Sequence, residues 1–581
     1  MKTTLLLFLC LLLGFEASAK QPKLSPDIKH ADLAAVIPVI VQYEHEPNDA
    51  DHQMILTMGG QLKGKLKSVK AGAYKVPGSA LASIAADPNV RYVSLDRPVH
   101  AKLDYSTAAV NAAVAWRSGY NGTGIGVAVI DSGTTPVGDF TDKKNRLLYT
   151  QDFVYKDGKD QYGHGEHVAG IIAASGKGSN CSHCNRALKG VAPDANLINF
   201  RVLDENGQGS DSDVIAAVEQ AIRLKDKYNI RVINLSLGRP IYESYVQDPL
   251  CQAVEAAWKA GIVVVVAAGN DGRDNSMGTN GYGTITAPGN DPYVITVGAM
   301  KTMNTYDRSD DLIASYSSKG PTLIDHIAKP DILAPGNRVV SLRSPGARLA
   351  QDPQTDVPVS YYQAVSDAKA GSKASDAYLV LNGTSMAAPV VSGAVADLLE
   401  AEPNLTPDQV KARLMKTASK TFPQTSVASD PVTGEVFTSH YDIFTVGAGY
   451  LDVAAALANK DVASGAALSP QAIFDPASGN IYLASNPSSV WNDQSVDGAR
   501  AVWGTQTVWG TAVIDGTRGV WGNRGAWGTN GVWSTSGLSA ARAVWGTNGV
   551  SNSSSLDGTR GVWGNSAVAA ESTSVTLNGE N

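Results

Sequence analysis

The sequence predicts an α/β fold with a mainly parallel sheet flanked by helices, and three observations predict it. Continuous apolar runs recur along the middle of the chain, at Gly126–Ile130, Ala195–Val202, Val232–Leu237, Ile262–Ala268 and Val294–Gly298. Such runs suit strands buried on both faces, as in a parallel sheet. Helical patterns lie between them, the clearest being Val214, Ala217, Val218, Ala221, Ile222 and Leu224, and strand–helix alternation marks an α/β domain. Polar residues then sit at the ends of two runs, Asp131 and Asn270. Ligands in parallel sheets bind beyond the carboxyl ends of strands.

In chain order, residues 1–19 read as a secretory signal: Lys2, the apolar run Leu5–Leu13, then Ala17-Ser18-Ala19 as a cleavage site. That run is shorter than a membrane crossing needs, and no later stretch is long and apolar enough to span. The protein is expected to be exported, with cell-surface association left open. Residues 20–102 carry their own pattern. Val36–Val41, Ala71–Val76 and Val90–Leu95 read as strands, and Gln53–Gly59 and Ser79–Ala86 as helices, which suggests a compact α+β module ahead of a main domain at 103–460. At 581 residues the chain is long enough for both. Its formal charge of −7 gives no reason to expect nucleic acid or an anionic membrane as partner.

Of four cysteines, Cys10 lies in the signal. Cys181 and Cys184 have CxxC spacing and Cys251 stands alone. In an oxidising compartment one disulfide and one leftover thiol is the simplest arithmetic. A local Cys181–Cys184 bridge, a bridge involving Cys251 and a metal half-site all remain open, although a zinc site would lack its second half.

Three short strings carry the chemistry. Val129-Ile130-Asp131-Ser132-Gly133 ends a strand. His164-Gly165-Glu166-His167-Val168-Ala169-Gly170 opens an apolar helix. Its two histidines are three apart with no third ligand, so metal binding is not the reading, and His167 is expected to be a core or capping residue. Gly383-Thr384-Ser385-Met386-Ala387-Ala388-Pro389 opens a second apolar helix through Val390, Val391, Ala394, Val395 and Leu398. A serine at a helix N-terminus sits where unpaired N–H groups favour developing negative charge. It still needs a base to become a nucleophile.

In the order Asp…His…Ser, known for subtilisin, the three strings together resemble the subtilases, the subtilisin-like serine peptidases. The likeness covers roughly residues 20–458, with the leading module similar to an inhibitory propeptide that would be an intramolecular partner. The resemblance implies a serine endopeptidase acting on polypeptides, with Ser385 as nucleophile, His164 as proton shuttle, Asp131 as its orienter and Asn270 as oxyanion donor. It implies Gly207, Gln208 and Gly209 as a substrate-binding strand. Ser236, Leu237 and Gly238, with Ala267, Ala268 and Gly269, would wall the primary specificity pocket. No charged residue stands in those walls, which suggests apolar or large uncharged side chains. No cofactor is implied for catalysis; structural calcium is an option, for which Asp204-Glu205 and Asp211–Asp213 offer oxygens, although loop acids are more often solvated. One departure stands out: the histidine string usually has Thr where this chain has Glu166. Residues two apart on a helix do not share a face, so Glu166 is expected to point to solvent. The stretch Leu342–Leu379 reads as an inserted polar loop.

From Val490 the chain keeps a six-residue beat: Val490, Val496, Val502, Val508 and Ile514 continue in steps of six to Val568. Trp491, Trp503, Trp509, Trp521, Trp527, Trp533, Trp545 and Trp563 occupy the next phase, eight of the ten tryptophans, so the pattern is not incidental. Hexads of this sort build a β-solenoid, whose tryptophan row would bind polysaccharide or a cell-surface ligand. The other reading is a flexible sorting tail. Residues 461–489 read as a linker and 569–581 as a tail. A competing function is a surface-binding or adhesive protein using the peptidase fold as carrier. A serine esterase fits less well, because Ser385 does not lie in a G-x-S-x-G elbow.

Overall fold

The computed structural model describes residues 23–25, 28, 33–95, 102–475, 480–483, 508–509, 567–569 and 573–580, apart from brief interruptions at 143, 156, 277, 366–367 and 431–432. The expected signal at 1–19 lies outside the described residues, as does the hexad region apart from Val508–Trp509 and Ala567–Val568. The chain divides into two compact units, one up to His100 and one from Ala101.

In the first unit four antiparallel strands stand in the order Gln61–Leu66, Ala71–Pro77, Val36–Tyr43, Val90–Leu95. Alternation decides which face is buried: in the strand Val36–Tyr43, Ile37, Val39, Val41 and Tyr43 point inward. They pack on Ile55 and Ile84 from the helices Asp49–Thr57 and Leu81–Ala86. Asn48 starts the first helix with a reciprocal capping box to Asp51. The polar strand Gln61–Leu66, on the sheet edge, was not legible as a strand.

The second unit is built on an eight-stranded sheet. Its main path runs Leu312–Ile313, Ile295–Lys301, Val263–Ala267, Ile230–Leu235, Gly126–Asp131, Asn196–Arg201, Leu147–Asp152, and Ile332–Asn337 also pairs with Ile295–Lys301. All pairings are parallel except that of Leu312–Ile313. The helix Asp211–Tyr228 buries Val214, Ala217, Val218 and Ala221 on one side, as its periodicity predicts. The helices His164–Ala173 and Thr384–Ala401 pack on one another and are buried almost all round.

Leu342–Leu379 is not a plain loop. Val339–Leu342, Asp356–Pro358 and Ala374–Leu381 form a three-stranded antiparallel sheet whose last strand leads into the Ser385 helix. The expected linker is also partly structured: Ala472–Asp475 pairs with Asn480–Leu483, and Ala467, Ala472 and Ile481 are buried with Met415 and Phe444. The expected tail contains a helix, Thr573–Asn578.

Candidate active site

Asp131 is the last residue of a strand buried on both faces. Its Oδ1 accepts from the Ser132 N–H and lies 2.7 Å from His164 Nδ1. Both side chains are about 1% exposed. The histidine is held by the way its helix docks: a Cβ on Gly165 would come within 2.2 Å of Gly133 O. Glycine at 165 therefore lets the first turn of the helix close onto the Asp131 loop. Ser132 Oγ accepts from Gly165 N–H at 2.9 Å and donates to Asp160 Oδ1 at 2.8 Å. Asp160 in turn takes the N–H groups of Gly163 and Glu166, both at 2.7 Å, satisfying orphan donors at the start of the His164 helix. Burial raises the Asp160 pKa above the usual carboxylate value, the backbone N–H groups opposing the shift.

Glu166 does not point to solvent. It is fully buried, and its Oε2 accepts from Thr135 N–H at 2.5 Å. Burial pushes its pKa well above the ordinary value of 4.5. The expectation failed because not sharing a face with His164 leaves no dry face unless another element covers it. Here every residue of the helix His164–Ala173 is covered. His167 is a core histidine, as expected: its Nε2 lies 3.0 Å from Val339 O, and burial lowers its pKa to about 3.

Ser385 sits in the first turn of the helix Thr384–Ala401 and is 1% exposed. Pro389 within this helix has no N–H for the carbonyl four residues back. That carbonyl belongs to Ser385, and Ser236 Oγ donates to it instead at 2.8 Å. Ser385 Oγ donates to Ser236 O at 3.0 Å, so the contact is reciprocal. Asn270, 6% exposed, follows the strand Val263–Ala267. Its Oδ1 accepts from Thr384 N–H at 3.0 Å and Thr384 Oγ1 at 3.3 Å, and Thr384 Oγ1 accepts from Gly269 N–H at 3.1 Å. With its oxygen held there, the amide NH2 of Asn270 is the end turned away from Thr384.

The two expected pocket walls meet at a residue the sequence did not single out. A Cβ on Gly238 would lie 2.6 Å from Thr286 Oγ1, and one on Gly269 would lie 2.9 Å from Thr286 Cγ2. Thr286 N–H donates to Ala268 O at 3.1 Å. Leu237, Ala267 and Ala268 are buried beside them. Gly207 precedes the strand Gln208–Ser210, which pairs antiparallel with Ala567–Ala569 of the same chain. The walls carry no charge: Arg239, the next residue, turns its guanidinium to Asp211 and Asp248.

Among the described residues no group of three or more His, Cys, Asp or Glu gathers to hold a metal ion. The acids considered for calcium are engaged otherwise. Asp204 accepts from the N–H groups of its own turn, Asp211 pairs with Arg239, and Asp213 accepts from Ser210 Oγ. Cys181 and Cys184 are joined, with Cα atoms 5.0 Å apart. Cys251 is a buried free thiol whose Sγ lies 3.3 Å from Asn290 Oδ1.

The model of the subtilase family matches residues 122–435. Serine protease AprX of Bacillus subtilis is 37% identical over 397 residues, covering 66% of this chain and 83% of that protein. Subtilisin E of Bacillus subtilis is 33% identical over 371 residues, covering 63% of this chain and 80% of that protein. An alkaline protease of Alkalihalobacillus alcalophilus is 29% identical over 340 residues, 58% of this chain and 71% of that protein. The family match spans more than half of the chain and includes Asp131, His164 and Ser385: the chain belongs to the subtilase family.

Proposed function

We propose that this protein is a secreted, self-processing serine endopeptidase in which Asp131, His164 and Ser385 act as one triad. The observation that carries the proposal is the buried 2.7 Å contact of Asp131 Oδ1 with His164 Nδ1. A carboxylate there fixes the tautomer with hydrogen on Nδ1, leaving Nε2 as the basic nitrogen. Histidine suits the shuttle because its unperturbed pKa of about 6.5 lies near working pH.

Ser385 attacks the scissile carbonyl as its hydroxyl hydrogen turns from Ser236 O toward His164 Nε2. His164 then returns the proton to the leaving amine, and water repeats the sequence on the acyl-enzyme. The oxyanion forms where the Asn270 amide NH2 and the Ser385 N–H converge. Thr384 holds the Asn270 oxygen, so the donor is set before charge develops and no reorganisation is needed in the transition state. An extended polypeptide adds as a strand along Gly207–Gly209 and Ser236–Gly238. Its side chain enters between Gly238 and Gly269, where Thr286 limits depth and no charge favours a charged residue. The module before residue 102 serves as an inhibitory propeptide, and residues 1–19 as the export signal. A carrier for an adhesive repeat would have no use for the Asp131–His164 bond.

The intact masses of the secreted wild type and Ser385→Ala test this reading. Wild type is expected to lose the segment before about Asp104, and the variant to retain it. Retention by both proteins would reject self-processing. Cleavage of a short-chain ester in preference to casein would reject the endopeptidase reading.

A further inference from the structure

The strand edge where an extended substrate is proposed to add is already paired. Ala567–Ala569 runs antiparallel to it, with Gln208 opposite Ala569 and Ser210 opposite Ala567. The helix Thr573–Asn578 follows, Val575 and Leu577 packing on the main core. The Thr576 carbonyl accepts from both the backbone N–H and the Nδ2 of Asn382, each at 3.1 Å. Asn382 lies three residues before Ser385. Gly579 has φ +56°, and a Cβ there would come within 2.1 Å of Asn382 Oδ1, so no larger residue fits.

Glu580 is the anchor, and it is fully buried. Its Oε1 accepts from Arg273 Nη2 at 3.0 Å, from Ser315 N–H at 2.6 Å and from Ser315 Oγ. Its Oε2 lies 2.9 Å from Lys301 Nζ, itself 4% exposed. Asn337 holds the backbone on both sides: Glu580 N–H donates to its Oδ1 at 2.9 Å, and its Nδ2 donates to Glu580 O at 2.8 Å. Arg273 also pairs with Asp430, so two cations face two carboxylates and the balance is lost without Glu580. A dry carboxylate met by two cations and oriented N–H groups is a built site, because a surface accident would not repay the desolvation of those charges.

We propose that this cradle of Arg273, Lys301, Ser315 and Asn337 is a binding site for a carboxylate-bearing peptide segment, and that its ligand is the chain's own Thr573–Glu580. When seated, that segment holds Ala567–Ala569 on the Gln208–Ser210 edge and the chain competes with its own substrate. The proposal rests on the reading of Gly207–Gly209 as a substrate-binding strand. One strand edge pairs with one strand at a time through main-chain hydrogen bonds. Tethering within one chain raises the effective concentration of the occupant. A seated segment lowers the fraction of molecules competent to bind, which raises KM and leaves kcat unchanged.

The test compares full-length wild type with Glu580→Lys, which sets a third cation against Arg273 and Lys301. With a fluorogenic peptide spanning the non-prime side, the variant is expected to show a KM lower by about tenfold at unchanged kcat. Amide exchange at Gln208–Ser210 is expected to quicken. A synthetic peptide of residues 567–580, added to the variant, should raise KM again as a competitive inhibitor, and the same peptide carrying Glu580→Lys should not. Unchanged exchange and unchanged KM would overturn the proposal. Faster exchange with unchanged KM would also overturn it, since the segment would then dock without excluding substrate. Should wild type cleave no peptide, the functional reading fails by itself and the exchange comparison still decides whether Glu580 seats the strand. Glu580→Gln, which keeps the shape and removes the charge, gives the same readouts if the lysine variant does not fold.

Discussion

Two buried clusters of charge in the same unit obey the same electrostatics with opposite balance. Around Asp331 there are two lysines: Lys329 Nζ lies 2.7 Å from one carboxylate oxygen and Lys411 Nζ 3.3 Å from the other. Backbone carbonyls of Pro292 and Val294 take further lysine hydrogens, and Ser469 Oγ donates to Asp331. Burial pushes both lysine pKa values down, and the lysines hold that of Asp331 down against its own burial. Around His164 the excess is acidic: Asp131, Asp160 and Glu166 are all buried, and N–H groups rather than cations meet their oxygens. The first arrangement is closed, each charge spent on tying the helix Pro407–Thr417 and the Ser469 segment to the ends of sheet strands. The second sets one carboxylate, Asp131, directly on an imidazole, which in the proposed mechanism favours the imidazolium formed during turnover. Burial with a complete set of ionic partners makes a staple; a buried carboxylate set against an imidazole is the arrangement proposed for catalysis.

The comparison is broken if the two clusters respond alike to the same substitution. Asp131→Asn is expected to lower kcat by about 10⁴-fold, the size established when a triad aspartate is replaced, while thermal unfolding stays near wild type. Equal loss of folding in both variants would refute the division. Asp331→Asn should do the reverse, leaving two buried lysines without a counter-charge and costing about 3–5 kcal/mol of stability. Denaturant unfolding would measure it, with activity per folded molecule retained.

Asn270→Ala sharpens the acidic side by removing a donor and no charge. It should reduce kcat by about 100- to 1000-fold at similar KM, the size established for loss of this donor in subtilisin. The smallest effect belongs to Glu166→Gln. A carboxyl whose folded pKa is raised keeps its proton in the folded state after the unfolded chain has lost it. Stability therefore falls as pH rises above the unfolded value of 4.5. Glutamine, which can still accept from Thr135 N–H, removes that slope. Unfolding curves at several pH values should show the variant gaining on wild type as pH increases; parallel curves would mean that Glu166 is ionised in the fold.

Much of this architecture was legible because it is written locally. Gly126–Ile130 is an uninterrupted apolar run with Asp131 at its end, and the helices at His164 and Ser385 follow a glycine and run into apolar residues. What escaped depends on contacts distant in sequence or on mixed patterns. The strand Leu147–Asp152 ends in three polar residues, Thr150-Gln151-Asp152, as its place at the edge of the sheet allows, and Ile332–Asn337 contains Pro335 and Gly336, which read as a turn. Thr286 lies between Gly238 and Gly269 of the two proposed pocket walls, and nothing in its neighbours marks it. The role of Asp160 as a cap for the His164 helix follows from a loop path that local residues do not dictate. Glu580 meets its partners 243 to 307 residues away, beyond the reach of any local pattern.

The reciprocal contact between Ser236 and Ser385 carries a consequence for how such an enzyme can diversify. Because Pro389 cannot supply the helical donor, the side chain that completes the backbone of the proposed nucleophile also belongs to the wall proposed for specificity. Selectivity and reactivity then share a genetic determinant. A library that varies position 236 to reshape substrate choice would also sample the alignment of the attacking oxygen, and most of its members would be slow for reasons unrelated to recognition. Variation at Gly238 and Thr286, which belong to the same proposed walls, offers the route by which new preferences can arise while turnover is preserved.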